Sequence, residues 1–159
     1  MEMPKLTLSS SPHIQTNENV TTVMRDVIIA LLPATIAAIY YFRFGAIVNI
    51  LVAVLGAVAA EYLIQKLMKK PITIKDYSAA VTGLLLAFNV PSTLPWWMTL
   101  IGSVFAIAVV KQLFGGLGHN FMNPALAARA VLLASWPVEM TSWVTTGADA
   151  VATATPLAV

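Results

Sequence analysis

Phe44-Gly45-Ala46-Ile47-Val48-Asn49-Ile50-Leu51-Val52-Ala53-Val54-Leu55-Gly56-Ala57-Val58-Ala59-Ala60-Glu61-Tyr62-Leu63 is the stretch on which the fold turns. It reaches the ~20 residues that an apolar helix needs to span a bilayer. Its glycines and many alanines suit close helix packing. The rest of the chain keeps the same character: 58% of its 159 residues are hydrophobic, 10% are charged, and the mean hydropathy is +0.81. An ordinary soluble domain has about 25% charged residues. The composition therefore predicts an all-α integral membrane protein.

Working outward, Val27 to Phe42 is an apolar run broken only by Pro33 and bounded by Arg25-Asp26 and Arg43. Before it, residues 1–25 form a polar tail with no signal-peptide pattern. After Leu63 comes a polar hinge, Gln65 to Asp76, with Lys66, Lys69, Lys70 and Lys75 around Pro71. Tyr77 to Asn89 is apolar but short, with Asp76 as its N-cap and a stop at Asn89-Val90-Pro91. Trp96 to Val110 is the next span, closed by Lys111. A loop, Gly115-Gly116-Leu117-Gly118-His119-Asn120, leads to a second short helix, with Asn123 as N-cap and Pro124 at its first position. That helix runs to about Trp136, so residues 26–137 make a domain of about five transmembrane or broken helices.

Orientation follows from basic residues. Arg25, the lysines from Lys66 to Lys75, and Lys111 fall on one side if the segments alternate. The positive-inside rule then puts the N-terminus in the cytoplasm and residues 138–159 outside. Trp96, Trp97, Trp136 and Trp143 flank helix ends and read as interfacial anchors.

The polar groups allow several readings. Two short, Gly/Pro-interrupted helices are the pattern of broken helices around a buried site. The Gly115–Asn120 loop facing the Asn123-Pro124 helix start offers backbone N–H groups for an anion, a carbonyl-rich ring or a phosphate, or else merely allows tight packing. Arg129, inside that helix, needs a partner such as Glu139, Asp149 or a bound phosphate, unless it snorkels to the interface. Glu61 reads as a local ion pair near Gln65 and Lys66, against the default reading of an intramembrane acid as a proton carrier. His119 suits hydrogen bonding. Cysteine is absent and histidine occurs twice, which leaves no ligand set for a catalytic or electron-carrying metal. A net charge of +2 without a basic face excludes a nucleic-acid partner.

Several stretches together resemble one family. Ser9-Ser10-Ser11-Pro12-His13-Ile14, Asp26-Val27-Ile28-Ile29-Ala30-Leu31-Leu32-Pro33, Thr82-Gly83-Leu84-Leu85-Leu86-Ala87-Phe88, Asn89-Val90-Pro91 and Gly115-Gly116-Leu117-Gly118-His119-Asn120-Phe121-Met122-Asn123-Pro124-Ala125 are similar to the RnfD family. Its members belong to Rnf complexes, which couple electron transfer between ferredoxin and NAD to ion transport. They are related to the NqrB subunit of the sodium-pumping NADH:quinone reductase.

The resemblance implies covalent FMN, joined by a phosphoester to a threonine in a motif like Asp-x-x-Ser/Thr-Gly-Ala-Thr. That spacing assigns Asp149 as its start and Thr155 as the attachment site, with Ala152 and Thr153 departing from the pattern. Thr153 becomes a second candidate, and Asn120, Asn123 and Arg129 join the expected flavin-side residues. It also implies a flavin transferase for maturation, a neighbouring FMN-carrying subunit among other Rnf partners, and multi-pass placement in a bacterial or archaeal cell membrane. The family has two inverted halves of five helices, similar to urea transporters, and this chain corresponds to the first. The broken helices and that likeness leave half of a solute channel or transporter as the alternative.

Overall fold

The computed structural model describes residues 19–144 and 152–153. Its first helix, α1, runs from Val20 to Leu67. It starts ahead of the apolar run that opens at Val27, because the Asn19 side chain caps it, accepting from Thr22 N at 2.8 Å. Arg43, with φ 50° and ψ −128°, breaks α1 into two successive spans where the sequence shows a charge between two apolar runs. The fully buried residues of α1 all follow that break: Ala46, Asn49, Ala53, Gly56, Ala57, Ala60, Glu61 and Gln65. They recur at spacings of three and four, with Gly56–Ala57 and Ala60–Glu61 as adjacent pairs, the pattern of one helix face.

Small side chains on this face let the next helix come close. Helix α2 (Ser78–Ala87) crosses α1 at Gly83, where a Cβ would stand 2.6 Å from the Ala53 carbonyl oxygen. Glycine is required there by backbone contact. The N-cap of α2 is Tyr77, in the left-handed conformation at φ 60°, and not Asp76 as the sequence suggested; Asp76 Oδ1 still accepts from Ser78 N at 2.8 Å.

Helix α3 (Trp96–Phe105) passes directly into a π-helical segment, Ala106–Gln112. Helix α4 (Pro124–Ser135) begins as the sequence predicts, with the Asn123 side chain accepting from Ala125 N at 2.9 Å and Pro124 opening the first turn. A short α5 (Pro137–Thr141) follows. Leu86, Val90, Leu94, Met98, Ala106, Ala128 and Leu132 form the larger apolar core between α2, α3 and α4. The Trp97 and Trp136 rings meet edge to face at 5.5 Å, which pins the start of α3 to the end of α4.

By length and apolarity, α1 alone among the described residues is able to cross a bilayer; Ser78–Ala87, Trp96–Gln112 and Pro124–Ser135 are shorter apolar helices. At 1.5 Å per residue, α2 covers about 15 Å of a ~30 Å hydrocarbon core. The description all-α needs one amendment. Strands β1 (Trp143–Val144) and β2 (Ala152–Thr153) form an antiparallel ladder, pairing Trp143 with Thr153 and Val144 with Ala152.

Candidate functional site

Burial selects the site. Glu61 is 0% exposed and Lys111 2%, although α1 and the π-helical segment that carry them are otherwise apolar. Lys111 Nζ donates to Glu61 Oε1 at 2.7 Å and to Ser78 Oγ at 2.6 Å. Gln112 Nε2 donates to the same Glu61 oxygen at 2.8 Å, and Gln65 Nε2 at 3.2 Å. The second carboxylate oxygen, Oε2, is buried and has no partner. Three donors thus crowd one oxygen and leave the other bare.

Lys111 and Gln112 close the π-helical segment, a form frequent at functional sites. The extra residue that a π-turn accommodates shifts the side chains at its end relative to the α3 residues before them, and here it presents this pair to α1. Both are buried, and both reach Glu61.

Glu61 also lines a cavity of about 360 Å³, together with Gln65, Lys70, Thr73, Asp76, Gln112, Gly115, Gly116 and His119. Gln65 anchors one wall by donating to Thr73 Oγ1 at 2.8 Å and accepting from Thr73 N at 3.0 Å. Ser78 Oγ donates to Asp76 Oδ1 at 2.6 Å, so a hydrogen-bonded line runs from Lys111 through Ser78 to a second carboxylate.

The sequence reading of Glu61 therefore needs correction. Its counter-ion is Lys111, fifty positions away, and not the adjacent Lys66, which is exposed with its ammonium 5.7 Å from the Tyr62 ring centroid. By sequence, Lys111 only closes a span. Two opposite charges at the same end of two apolar spans, one on either side of the short α2, were the available signal.

The glycine loop is less open than its composition suggests. Gly115, Gly116 and His119 N–H groups donate to the carbonyls of Gln112, Lys111 and Gly116, and Asn123 occupies the α4 N-terminus. Gly115, Gly116, Leu117 and His119 line the 360 Å³ cavity, whereas Asn120, Asn123 and Arg129 do not. Asn120 Oδ1 is buried without a partner. Arg129 is exposed, and its Nη1 donates to Asn89 Oδ1 at 3.3 Å, a partner that the sequence did not suggest.

Asp149 and Thr155 lie outside the described residues; for Thr153 the backbone alone is described, in β2. Its ladder partner Trp143 lines a second cavity of about 120 Å³ with Phe42, Asn49, Phe88 and Ser92. Small-molecule pockets usually measure about 300–1,000 Å³. This one is too small to enclose a flavin ring.

Residues 7–159 match the NQR2, RnfD, RnfE family. The chain is 59% identical over 154 residues to the D subunit of the Na(+)-translocating ferredoxin:NAD(+) oxidoreductase complex of Acetobacterium woodii, covering 96% of this chain and 48% of that protein. It is 46% identical to the D subunit of the proton-translocating ferredoxin:NAD(+) oxidoreductase complex of Clostridium ljungdahlii, covering 96% and 47%. The corresponding subunit of the ion-translocating oxidoreductase complex of Aliivibrio salmonicida is 45% identical, over 86% of this chain and 39% of that protein. The chain thus spans about half the length, or less, of these curated relatives.

Proposed function

The chain belongs to the NQR2, RnfD, RnfE family, and from that membership we propose that it supplies the first half of a membrane electron-transfer subunit in an ion-translocating ferredoxin:NAD oxidoreductase complex. One observation of geometry carries the ion-handling part: a fully buried carboxylate, Glu61, paired with Lys111 on one oxygen and unpaired on the other, lines a polar cavity. Intramembrane acids are expensive and mark ion or proton pathways by default. The basic residues from Lys66 to Lys75 put this cavity on the cytoplasmic side in the proposed orientation, with residues 138–159 across the membrane.

Electron transfer in this reading rests on FMN attached through a phosphoester to Thr155, with Asp149 serving recognition by the flavin transferase and Thr153 as the alternative hydroxyl. The flavin supplies the redox chemistry when bound, and the protein supplies position and surroundings. Support comes from the Asp149–Thr155 spacing and from the β1–β2 ladder, which sets the backbone just before Thr155 against Trp143. A second, inverted half similar to the urea-transporter arrangement completes the subunit, and the neighbouring flavin-carrying subunit of the complex is its electron partner.

The attachment is tested with Thr155→Val in the full-length protein made together with its transferase. Wild type is expected to fluoresce in a denaturing gel and the variant to be dark. Fluorescence retained in the variant moves the link to Thr153 or elsewhere, and a dark wild type overturns the covalent flavin.

A further inference from the structure

The proposed ion-handling role leaves Lys111 unexplained, because a cation site that already contains an ammonium has no need of another cation. We propose that Lys111 is a tethered cation that alternates between Glu61 and Asp76, and that the translocated monovalent ion takes its place on Glu61. This inference rests on reading the Glu61 cluster as part of the ion path.

Charge balance supports the exchange. With Lys111 on Glu61 the buried pair is neutral. Adding a cation at the bare Oε2 while Lys111 stays on Oε1 would set two cations on one buried carboxylate, which costs several kcal/mol in a low-dielectric surround. Lys70, whose Nζ donates to the Gln112 carbonyl at 3.4 Å, and His119 bring further donors to the cavity, and Asp76 is the second acid that lines it. Neutrality is recovered if Lys111 leaves as the ion arrives.

A destination is already in hydrogen-bonded contact. Ser78 Oγ accepts from Lys111 Nζ at 2.6 Å and donates to Asp76 Oδ1 at 2.6 Å. Asp76 is half-buried and lines the same cavity as Glu61. With Lys111 on Glu61, Asp76 faces the cavity without a cation; with the ion on Glu61 and Lys111 drawn over Ser78 to Asp76, each acid is matched by one cation. Lysine suits this role as a compact charge on a flexible four-carbon stem, where arginine would hold a fixed fork. Lys111, Gln112 and Gln65 all address Oε1, which leaves Oε2 open to the arriving ion.

The two ends of the exchange have opposite signatures in the assembled complex in proteoliposomes. Electron transfer is measured against sodium chloride with choline chloride as balance, and in a second arm against pH at fixed sodium; the arm in which wild type responds identifies the ion. Asp76→Asn removes the destination and is expected to raise the half-saturating ion concentration about tenfold. Lys111→Gln removes the competitor and is expected to lower it about tenfold, while Lys111→Arg, whose fixed fork stays on Glu61, is expected to raise it. An Asp76→Asn complex with wild-type half-saturation, or a shift in the direction of Lys111→Gln, overturns the exchange. If Lys111→Gln does not assemble, Asp76→Asn alone decides. Glu61→Gln tests the underlying reading separately: loss of the ion response supports it, and an unchanged response overturns the cluster as part of the path.

Discussion

Two buried polar clusters tie the second span of α1 to its neighbours, one built around Asn49 and one around Glu61. Asn49 is 3% exposed and neutral. Its Nδ2 donates to the carbonyls of Pro91 and Ser92 at 3.1 and 3.3 Å, and its Oδ1 accepts from Thr99 at 2.9 Å. Both amide groups are in use. Glu61, three turns further along the same face, brings a full charge, takes three donors on one oxygen and keeps the other free. The contrast separates a fastening from a working site. Satisfied neutral groups hold a helix crossing at little cost, whereas an under-coordinated buried charge is retained only at the expense of stability.

That contrast can be broken most forcefully at Lys111. In the full-length protein, Lys111→Met should cost about 3–5 kcal/mol, because Glu61 is left as an uncompensated buried charge. Adding Glu61→Leu should return stability to near the wild-type level, as hydrophobic replacements of buried pairs usually do. Denaturation in detergent reads both. A double variant as unstable as the single one would mean that the pair is structural and that the comparison fails.

A smaller effect is expected at the other cluster. Asn49→Ala strands the Thr99 hydroxyl and unties the Pro91–Ser92 turn, a loss of roughly 1–3 kcal/mol. Its ion response should match wild type. An altered ion response would show that the neutral cluster belongs to the path as well.

The smallest change sharpens the boundary of the charged site. Gly116 lines the cavity and has φ +96°, with nothing within 4 Å of where a Cβ would stand. Gly116→Ala should therefore cost only the backbone strain, roughly 1–2 kcal/mol. Electron-transfer assays with and without the ion would then report whether the glycine loop matters through its shape. Activity lost beyond what thermal stability explains would extend the working site into the loop.

Much of the helix punctuation was legible because it is local. Asn123-Pro124 opens α4, Asn89-Val90-Pro91 closes the α2 region, and Arg43 marks the break in α1, each through chemistry that acts within a turn. The polar start of α1 was not, since Asn19 caps residues that precede the apolar run. The charged cluster was hidden for a different reason. Glu61 and Lys111 meet only because α1 crosses α3 through small residues and because α3 leaves regular α geometry. A pattern read at 3.6 residues per turn has no sign for that departure. Arg129 reaches Asn89 because α4 lies beside the end of α2.

The π-helical segment also gives the site a dependence on chain length. Between Phe105 and Leu113, the number of residues decides which side chains face α1 as firmly as their identities do. Removing one residue there would wind the segment back toward α-helical register and rotate Lys111 and Gln112 together by about 100° relative to the α3 residues before them, away from Glu61. A chain with every polar residue of the cluster intact would then lack the cluster. Insertions and deletions in this short stretch are thus as disabling as loss of the lysine itself.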